Sequence, residues 1–357
     1  PAKSFQRFVP VIYLPTGGGK TVIAIELISR MLAKKPNTTA FFIVNRVVLV
    51  DQVISALLRV EIIPNIIQGN NTVVRDNSRV SVISGKSIHK YLDSSDDGLF
   101  AVKKVLPDVV IIDEAHEFNL KVALFCQACV AAGKLVIGLS ATPLNSKMNE
   151  LYDYVINVVT TNKLIEMGFL VPLTVYSPLI YQKTKEYNKL LVSSGEFNES
   201  LIADLARCIV GDTVRQYIIH GGDKKFICCG TTIEHCADLK RDFQLAGIKT
   251  ELYTCDIDDD YRRDVMSEFR SENSKIRGLI AVNSLTTGVD VPDLGCIIIT
   301  RAYQKSVIAM IQLLGRVMRS CQGKTAAIVI DMVGNYPHFY DEISEIFNNG
   351  VNEIPKK

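Results

Sequence analysis

From residue 9 to about 140, short runs of β-branched and aliphatic residues alternate with longer stretches of mixed polarity. The apolar runs fall at residues 9–14, 40–45, 79–83, 109–112 and 135–140. An unbroken apolar run of strand length marks a strand covered on both faces, as in parallel sheets whose crossover connections are helices. The alternation therefore predicts a parallel α/β lobe. Between Lys20 and Leu32, the residues Val22, Ile23, Ile25, Leu27 and Ile28 are too dense for a helix with one narrow apolar stripe, so a largely buried helix is expected there. The character changes between about 160 and 180, where Gly168, Pro172 and Pro178 break a segment that contains a helix-like stretch at 163–167. A helical stretch follows at 199–220, and strand-like runs resume at 226–229, 250–253, 277–282, 296–300 and 326–331. Two lobes of similar layout, without a short-period repeat, are implied. The expected division is a first domain at 1–165, a linker with a helical lead-in at 166–222, and a second domain at 223–357.

Composition changes this picture little. The chain has 357 residues, enough for two self-sufficient cores, with 48% hydrophobic and 22% charged residues, an ordinary soluble balance. No apolar run reaches the roughly 18 residues of a spanning helix, and the amino terminus lacks a secretory pattern, so neither a membrane partner nor export is expected. A net charge of +2 does not by itself argue for a polyanionic partner. Nine cysteines lack framework spacing, and several, such as Cys228 and Cys229, sit in strand-like runs, which suits a reducing compartment. Cys126 and Cys129 form a C-x-x-C in a predicted helix without a second ligand pair, so they read as small buried hydrophobes rather than a zinc or redox site.

The chemistry concentrates at the ends of the predicted strands. Pro15-Thr16-Gly17-Gly18-Gly19-Lys20-Thr21 follows an apolar run and opens a helix, the context of a phosphate loop. Glycines let the backbone approach phosphate oxygens and aim N–H groups at them, and the helix amino terminus adds favourable partial charge. Lys20 would neutralise the β and γ phosphates of ATP, and Thr21 would offer a hydroxyl to Mg²⁺. A glycine-rich connecting turn accounts for the glycines but not for the Lys-Thr pair. Leu14 stands where the longer form of the motif has a further glycine. Asp113-Glu114-Ala115-His116 ends the run at 109–112, where an α/β sheet places its ligand chemistry. Asp113 would hold Mg²⁺ directly or through water, and Glu114 would orient and deprotonate an attacking water. Ser140-Ala141-Thr142-Pro143 closes the run at 135–140, and the hydroxyls of Ser140 and Thr142 would couple the nucleotide pocket to a neighbouring surface.

These three segments, in this order, resemble the motif series of superfamily 2 helicases, in the Asp-Glu-Ala-His branch, with His116 in the catalytic set. The resemblance extends over almost the whole chain. Gln312-Leu313-Leu314-Gly315-Arg316-Val317-Met318-Arg319 resembles the sixth helicase motif, which implies that Arg316 and Arg319 reach ATP across an interdomain cleft and that Gln312 couples to them. Standing alone, it would read as a basic amphipathic helix. Thr286 to Pro292 looks like the fifth motif, with Thr287 and Gly288 facing nucleic-acid phosphate and Asp290 sensing the nucleotide. Asn45-Arg46, Ser84-Gly85-Lys86 and Gly230-Thr231-Thr232 resemble motifs Ia, Ib and IV, which would contact a strand's phosphates without reading its sequence; each also fits an ordinary loop.

The family implies two tandem RecA-like domains with ATP in the cleft between them. The chain looks closest to the DNA-directed group of phage UvsW-type branch-migration helicases, RecG-like remodellers and type III restriction motors. The Pro-Thr-Arg-Glu-Leu expected of Asp-Glu-Ala-Asp RNA helicases is absent, and Asn45-Arg46-Val47-Val48-Leu49 stands instead, which favours DNA, single-stranded, forked or branched, over RNA. The expectation is an ATP-dependent DNA helicase or translocase in the cytoplasm of a bacterial or phage-infected cell. The alternatives are a duplex-translocating motor subunit, an RNA helicase, and a nucleotide-gated clamp that does not hydrolyse ATP.

Overall fold

A computed structural model of the chain describes residues 8–45, 47–69, 71–91, 106–177, 211–254, 256–282, 291, 293–301 and 307–356. The chain forms two compact units, one of Pro1–Thr161 with Asn348–Lys357 and the other of Asn162–Phe347. Both are α/β units with mainly parallel sheets, as tandem RecA-like domains have.

In the first unit the strands β1 (Pro10–Tyr13), β2 (Ala40–Val44), β3 (Asn65–Gln68), β4 (Asn71–Val73), β5 (Val80–Ser84), β6 (Val109–Asp113), β7 (Leu135–Ser140) and β8 (Tyr154–Asn157) form one sheet in the order β4-β3-β5-β2-β6-β7-β1-β8. All pairs are parallel except β3 with β4. Alternate residues of the central strands feed two cores, because successive side chains point to opposite faces. Phe42, Val44, Val82, Val109 and Ile111 meet α1 (Lys20–Lys34) and α2 (Val47–Leu58) on one face. Phe41, Ile43, Ile83, Val110 and Ile112 meet α3 (Leu120–Ala131) on the other. Cys126 and Cys129 are buried in this second core, and burial holds both thiols well above their usual pKa, to about 11 for Cys129.

The expectation of a largely buried α1 is corrected. Only Ala24, Ile25 and Ile28 are buried, and Val22 and Ile23 are 69% and 36% exposed. The helix lies on one face of the sheet. At 100° per residue Val22 and Ile23 point away from the stripe made by Ala24, Ile25 and Ile28.

The second unit's sheet takes the order β11-β12-β10-β13-β14-β9. Its strands are β9 (Leu173–Tyr176), β10 (Lys225–Gly230), β11 (Thr250–Leu252), β12 (Gly278–Val282), β13 (Leu294–Ile299) and β14 (Ala327–Asp331). All its pairs are parallel. Phe226, Cys228, Ile280, Cys296, Ile298 and Ile330 pack with Cys236, Leu239 and Phe243, and the latter three come from the helix Ile233–Leu245. A short helix, α4 (Thr161–Glu166), stands where one was expected. Residues 173–176, expected in a linker, are the edge strand β9, and residues 348–357, expected with the second domain, belong to the first unit. Of the stretch 199–220 only the part from 211 is described; it is helical and ends in a π turn at Tyr217–Gly221. No helix among the described residues is long and apolar enough to cross a membrane.

Candidate active site

Strand order brings the first unit's motifs into one row. Tyr13 is in register with Ser140, Ile112 with Gly138, and Val44 with both Asp113 and Ser84. The carboxyl ends of β1, β7, β6, β2 and β5 therefore lie side by side. The segments that follow them, distant in sequence, share one edge, where open α/β sheets bind ligands.

The loop at 15–19 is anchored by the Leu14 amide, which donates to the Ser140 carbonyl at 3.1 Å, and is closed by Gly18 N–H donating to Pro15 O at 2.9 Å. Gly17 and Gly19 have φ of 84° and 85°, left-handed angles that side chains disfavour. Gly19 caps α1, and the first turn of that helix holds no acidic side chain that would occupy its N–H groups. Thr16 is buried, and its hydroxyl has no hydrogen-bond partner among the described residues. Lys20 is half-buried, and its charge acts on Asp113.

Asp113 is buried, and desolvation together with the neighbouring Glu114 charge pushes its pKa up to about 6, against the opposing pull of Lys20. The Glu114 amide donates to Asp113 Oδ1 at 2.9 Å. Glu114 itself adopts φ 49°, a left-handed turn that a non-glycine residue keeps only when its surroundings hold it. Ala115 N–H donates to Leu139 O at 2.9 Å, and Asn45 Nδ2 donates to the carbonyls of Glu117 and Glu114 at 3.1 and 3.4 Å. His116 is buried, with Nδ1 3.1 Å from Ser140 Oγ and 3.5 Å from Glu114 Oε2. Ser140 Oγ also accepts from Thr142 N–H at 3.0 Å, and Asn145 Nδ2 holds the His116 carbonyl at 2.9 Å. One hydrogen-bonded chain thus runs from the acid strand to the Ser-Ala-Thr loop.

Of the residues expected at phosphates, Ser84 is buried at the end of β5 and Gly85 abuts Asn45, whose own amide turns to the loop carrying the acids. Thr231 hydrogen-bonds His235 Nδ1 through its hydroxyl at 2.8 Å. In the second unit, Gln312 and Arg316 lie one turn apart on the helix Val307–Val317. Gln312 is buried, whereas Arg316 and Arg319 are half-exposed, so this helix is a core element rather than a basic helix with a solvated face. The backbone of Arg319 bridges to Leu170. Arg46, Thr287, Gly288 and Asp290 lie outside the described residues. Sequence reasoning missed Asn145 and Lys324, whose work is to hold carbonyls. Lys324 Nζ donates to Leu294, Val317 and Arg319 carbonyls at 2.6, 2.5 and 2.7 Å. Neither side chain stands in a recognisable motif, so no sequence signal marked it.

Residues 3–145 match the family described as type III restriction enzyme, res subunit, and residues 210–321 match the helicase conserved C-terminal domain. A 51.5 kDa protein of a Lactococcus phage is 28% identical over 95% of this chain and 70% of its own length. Putative helicase 22 of a Sulfolobus islandicus filamentous virus is 24% identical over 96% of this chain and 64% of its own. The solved fragment of a putative HsdR subunit of a type I restriction enzyme from Vibrio vulnificus superposes with a TM-score of 0.71. That match covers 98% of this chain and 64% of the fragment at 20% identity, a likeness of fold. Helicase domains imply the use of ATP and a nucleic-acid partner. The two matched domains, in the order of the two α/β units, support a superfamily 2 helicase.

Proposed function

We propose that this chain is the motor core of an ATP-driven DNA helicase or translocase of the Asp-Glu-Ala-His type, which converts ATP hydrolysis into movement along DNA and strand separation or branch migration. One observation carries the reading. The glycine loop, Lys20, a buried Asp113 and a left-handed Glu114 share a single sheet edge. The left-handed glycines, the acid-free first turn of α1 and the unpartnered Thr16 hydroxyl suit a phosphate-bearing ligand. A carboxylate that is buried and crowded by a second acid suits a divalent cation, and Thr21 is its natural partner ligand. Bound Mg²⁺ would supply charge neutralisation on the phosphate oxygens.

In the mechanism, the loop amides and Lys20 bind the β and γ phosphates, and Asp113 with Thr21 would hold the cation. Glu114 orients the attacking water and accepts its proton. His116, Ser140 and Thr142 link that step to the rest of the edge. In the second unit, Arg316 and Arg319, with Gln312 and Asp290, are the residues proposed to neutralise the charge that builds during hydrolysis; a planar, permanently charged guanidinium suits that task. Arg46, Ser84 and Gly85 in the first unit, and Thr231, Thr287 and Gly288 in the second, are the proposed contacts to DNA phosphates. The segment after Asn45 lacks the Pro-Thr-Arg-Glu-Leu of Asp-Glu-Ala-Asp RNA helicases, and the family matched at 3–145 is described as a restriction enzyme subunit, which favours DNA. That same match favours, as a second reading, a motor that translocates on duplex without parting it. The grouping with UvsW-type and RecG-like enzymes, and work in repair, recombination or replication in the cytoplasm, belong to the proposal.

DNA-stimulated phosphate release tests it. Lys20→Ala and Glu114→Gln are each expected to lower kcat by about a thousandfold, with Glu114→Gln still binding ATP. Turnover at the wild-type rate in both variants would refute hydrolysis at this edge. Strand displacement on forked and four-way DNA, set against displacement of a third strand from duplex, separates helicase from translocase.

A further inference from the structure

Asn45 follows β2, and its side chain turns back to the acid turn. Its Nδ2 donates to Glu117 O at 3.1 Å and Glu114 O at 3.4 Å, the two carbonyls that bracket the acid turn. The turn needs such a hold. Glu114 sits at φ 49°, and the further backbone bonds that pin it are Glu117 N–H to Glu114 O at 2.9 Å and Ala115 N–H to Leu139 O at 2.9 Å. On its other side Asn45 meets the loop after β5, where a Cβ at Gly85 would fall 2.6 Å from Asn45 Oδ1. That loop therefore approaches Asn45 as closely as it does only because residue 85 has no side chain. The next-nearest atoms to such a Cβ are Asn45 Cα and a Val122 methyl, at 3.5 and 3.6 Å. A shift of residues 84–86, where β5 passes into the 3₁₀ helix Gly85–Tyr91, has one amide side chain to push against, and that side chain holds the backbone of the water-orienting acid.

We infer that Asn45 is a positioning residue for Glu114, the mechanical link through which a strand resting on the loops after β2 and β5 sets the acid turn for hydrolysis. The inference rests on the ATPase reading above. It gives Asn45 work distinct from holding phosphate: occupancy of the strand site is transmitted by side chain to backbone, within one lobe. A misplacement of the acid by a fraction of an ångström is enough to slow the chemical step.

The test follows ATP hydrolysis by the full chain against rising concentrations of an unstructured single-stranded DNA, with RNA of the same sequence in parallel. Asn45→Asp keeps the size of the side chain but puts an oxygen where the donating amide was. It is expected to lower kcat at saturating strand about tenfold while leaving the KM for ATP and the half-stimulating strand concentration unchanged. Gly85→Ala shifts the same amide without removing it, at a residue outside the left-handed region, and the same loss of kcat at saturating strand, about tenfold, is expected. Should Asn45→Asp fail to fold, as read by its melting curve, Gly85→Ala decides. Wild-type kcat in the folded variants overturns the inference. So does an unchanged kcat with a raised half-stimulating concentration, which is the mark of a direct phosphate contact. If Glu114→Gln hydrolyses ATP as fast as the wild type, the ATPase reading itself has failed and the inference falls with it.

Discussion

At the scale of single residues, burial decides which titrations matter. His235, on the helix that follows β10, is 2% exposed, and its Nδ1 accepts from Thr231 Oγ at 2.8 Å and Thr231 N–H at 3.3 Å. Protonating Nδ1 would set a donor against those donors inside a dry core, and desolvation lowers the pKa to about 4. The unfolded chain, with an ordinary histidine near 6.5, then binds more protons than the native one between pH 4 and 6.5. The native stability this residue supports is complete above pH 6.5 and falls as the pH drops toward 4, by roughly 2–4 kcal/mol in all. Urea unfolding at pH 7.5 and pH 5 checks it: His235→Leu, which has no proton to gain, should show a smaller loss between those pH values than the wild type. Equal losses would mean that the ring is hydrated in solution.

At the scale of elements, the central strands and the edge strand β11 were legible, and the other margins were not. Strands β2, β5, β6, β10 and β14 are buried at every position and so read as largely apolar runs, with polar residues at Ser81 and at strand ends. The edge strands β4, β8 and β9, and β3 beside β4, are only partly buried and carry Asn, Gln, Thr and Tyr among their apolar residues. Their place comes from pairing with a neighbour's backbone, which leaves little trace in side-chain pattern. The site divides in the same way. Residues whose chemistry is tied to spacing, such as Gly19-Lys20-Thr21 and Asp113-Glu114, stood out, whereas side chains that hold carbonyls did not. Lys324 is the clearest of these. Its ammonium gathers the carbonyls of Val317 and Arg319, at the end of the helix Val307–Val317, with that of Leu294, where cationic donors suit unpaired carbonyls. Lys324→Met keeps the stem and removes the donors, so a loss of about 2 kcal/mol is expected, with exchange protection falling first at residues 317–319. Unchanged protection there would show that the carbonyls find water just as well.

At the scale of the molecule, chain order and unit membership part company. The polypeptide leaves the first unit at Thr161, builds the second through Phe347, and returns with its last residues to the first. The return is specific. Asn157, the last residue of β8, donates from Nδ2 to Asn349 O at 2.8 Å and Asn352 Oδ1 at 2.9 Å, and Asn149 Nδ2 donates to Pro355 O at 2.7 Å. Ile354 joins the core cluster that contains Val9 and Val11. Gly350 turns at φ 69°, where a Cβ would meet Asn157 Nδ2 at 2.5 Å and Tyr13 Cε1 at 2.9 Å, so no larger residue fits that turn. The β1–β8 side of the first unit's sheet, next to the glycine loop, is therefore packed by residues 349–355. Ile354→Ala in the full chain is expected to cost about 2–4 kcal/mol through its transfer and cavity terms, and Gly350→Val to cost a similar amount through backbone strain and overlap with Asn157. Because each unit has its own core, the loss should appear as reduced hydrogen-exchange protection in β1 and β8, with β10 and β13 unchanged. ATP affinity should weaken alongside, since β1 sets the position of the loop it feeds. If both sheets lost protection equally, the units would be unfolding as one cooperative body, and the returning segment would be a fastening between lobes rather than part of the first lobe's fold.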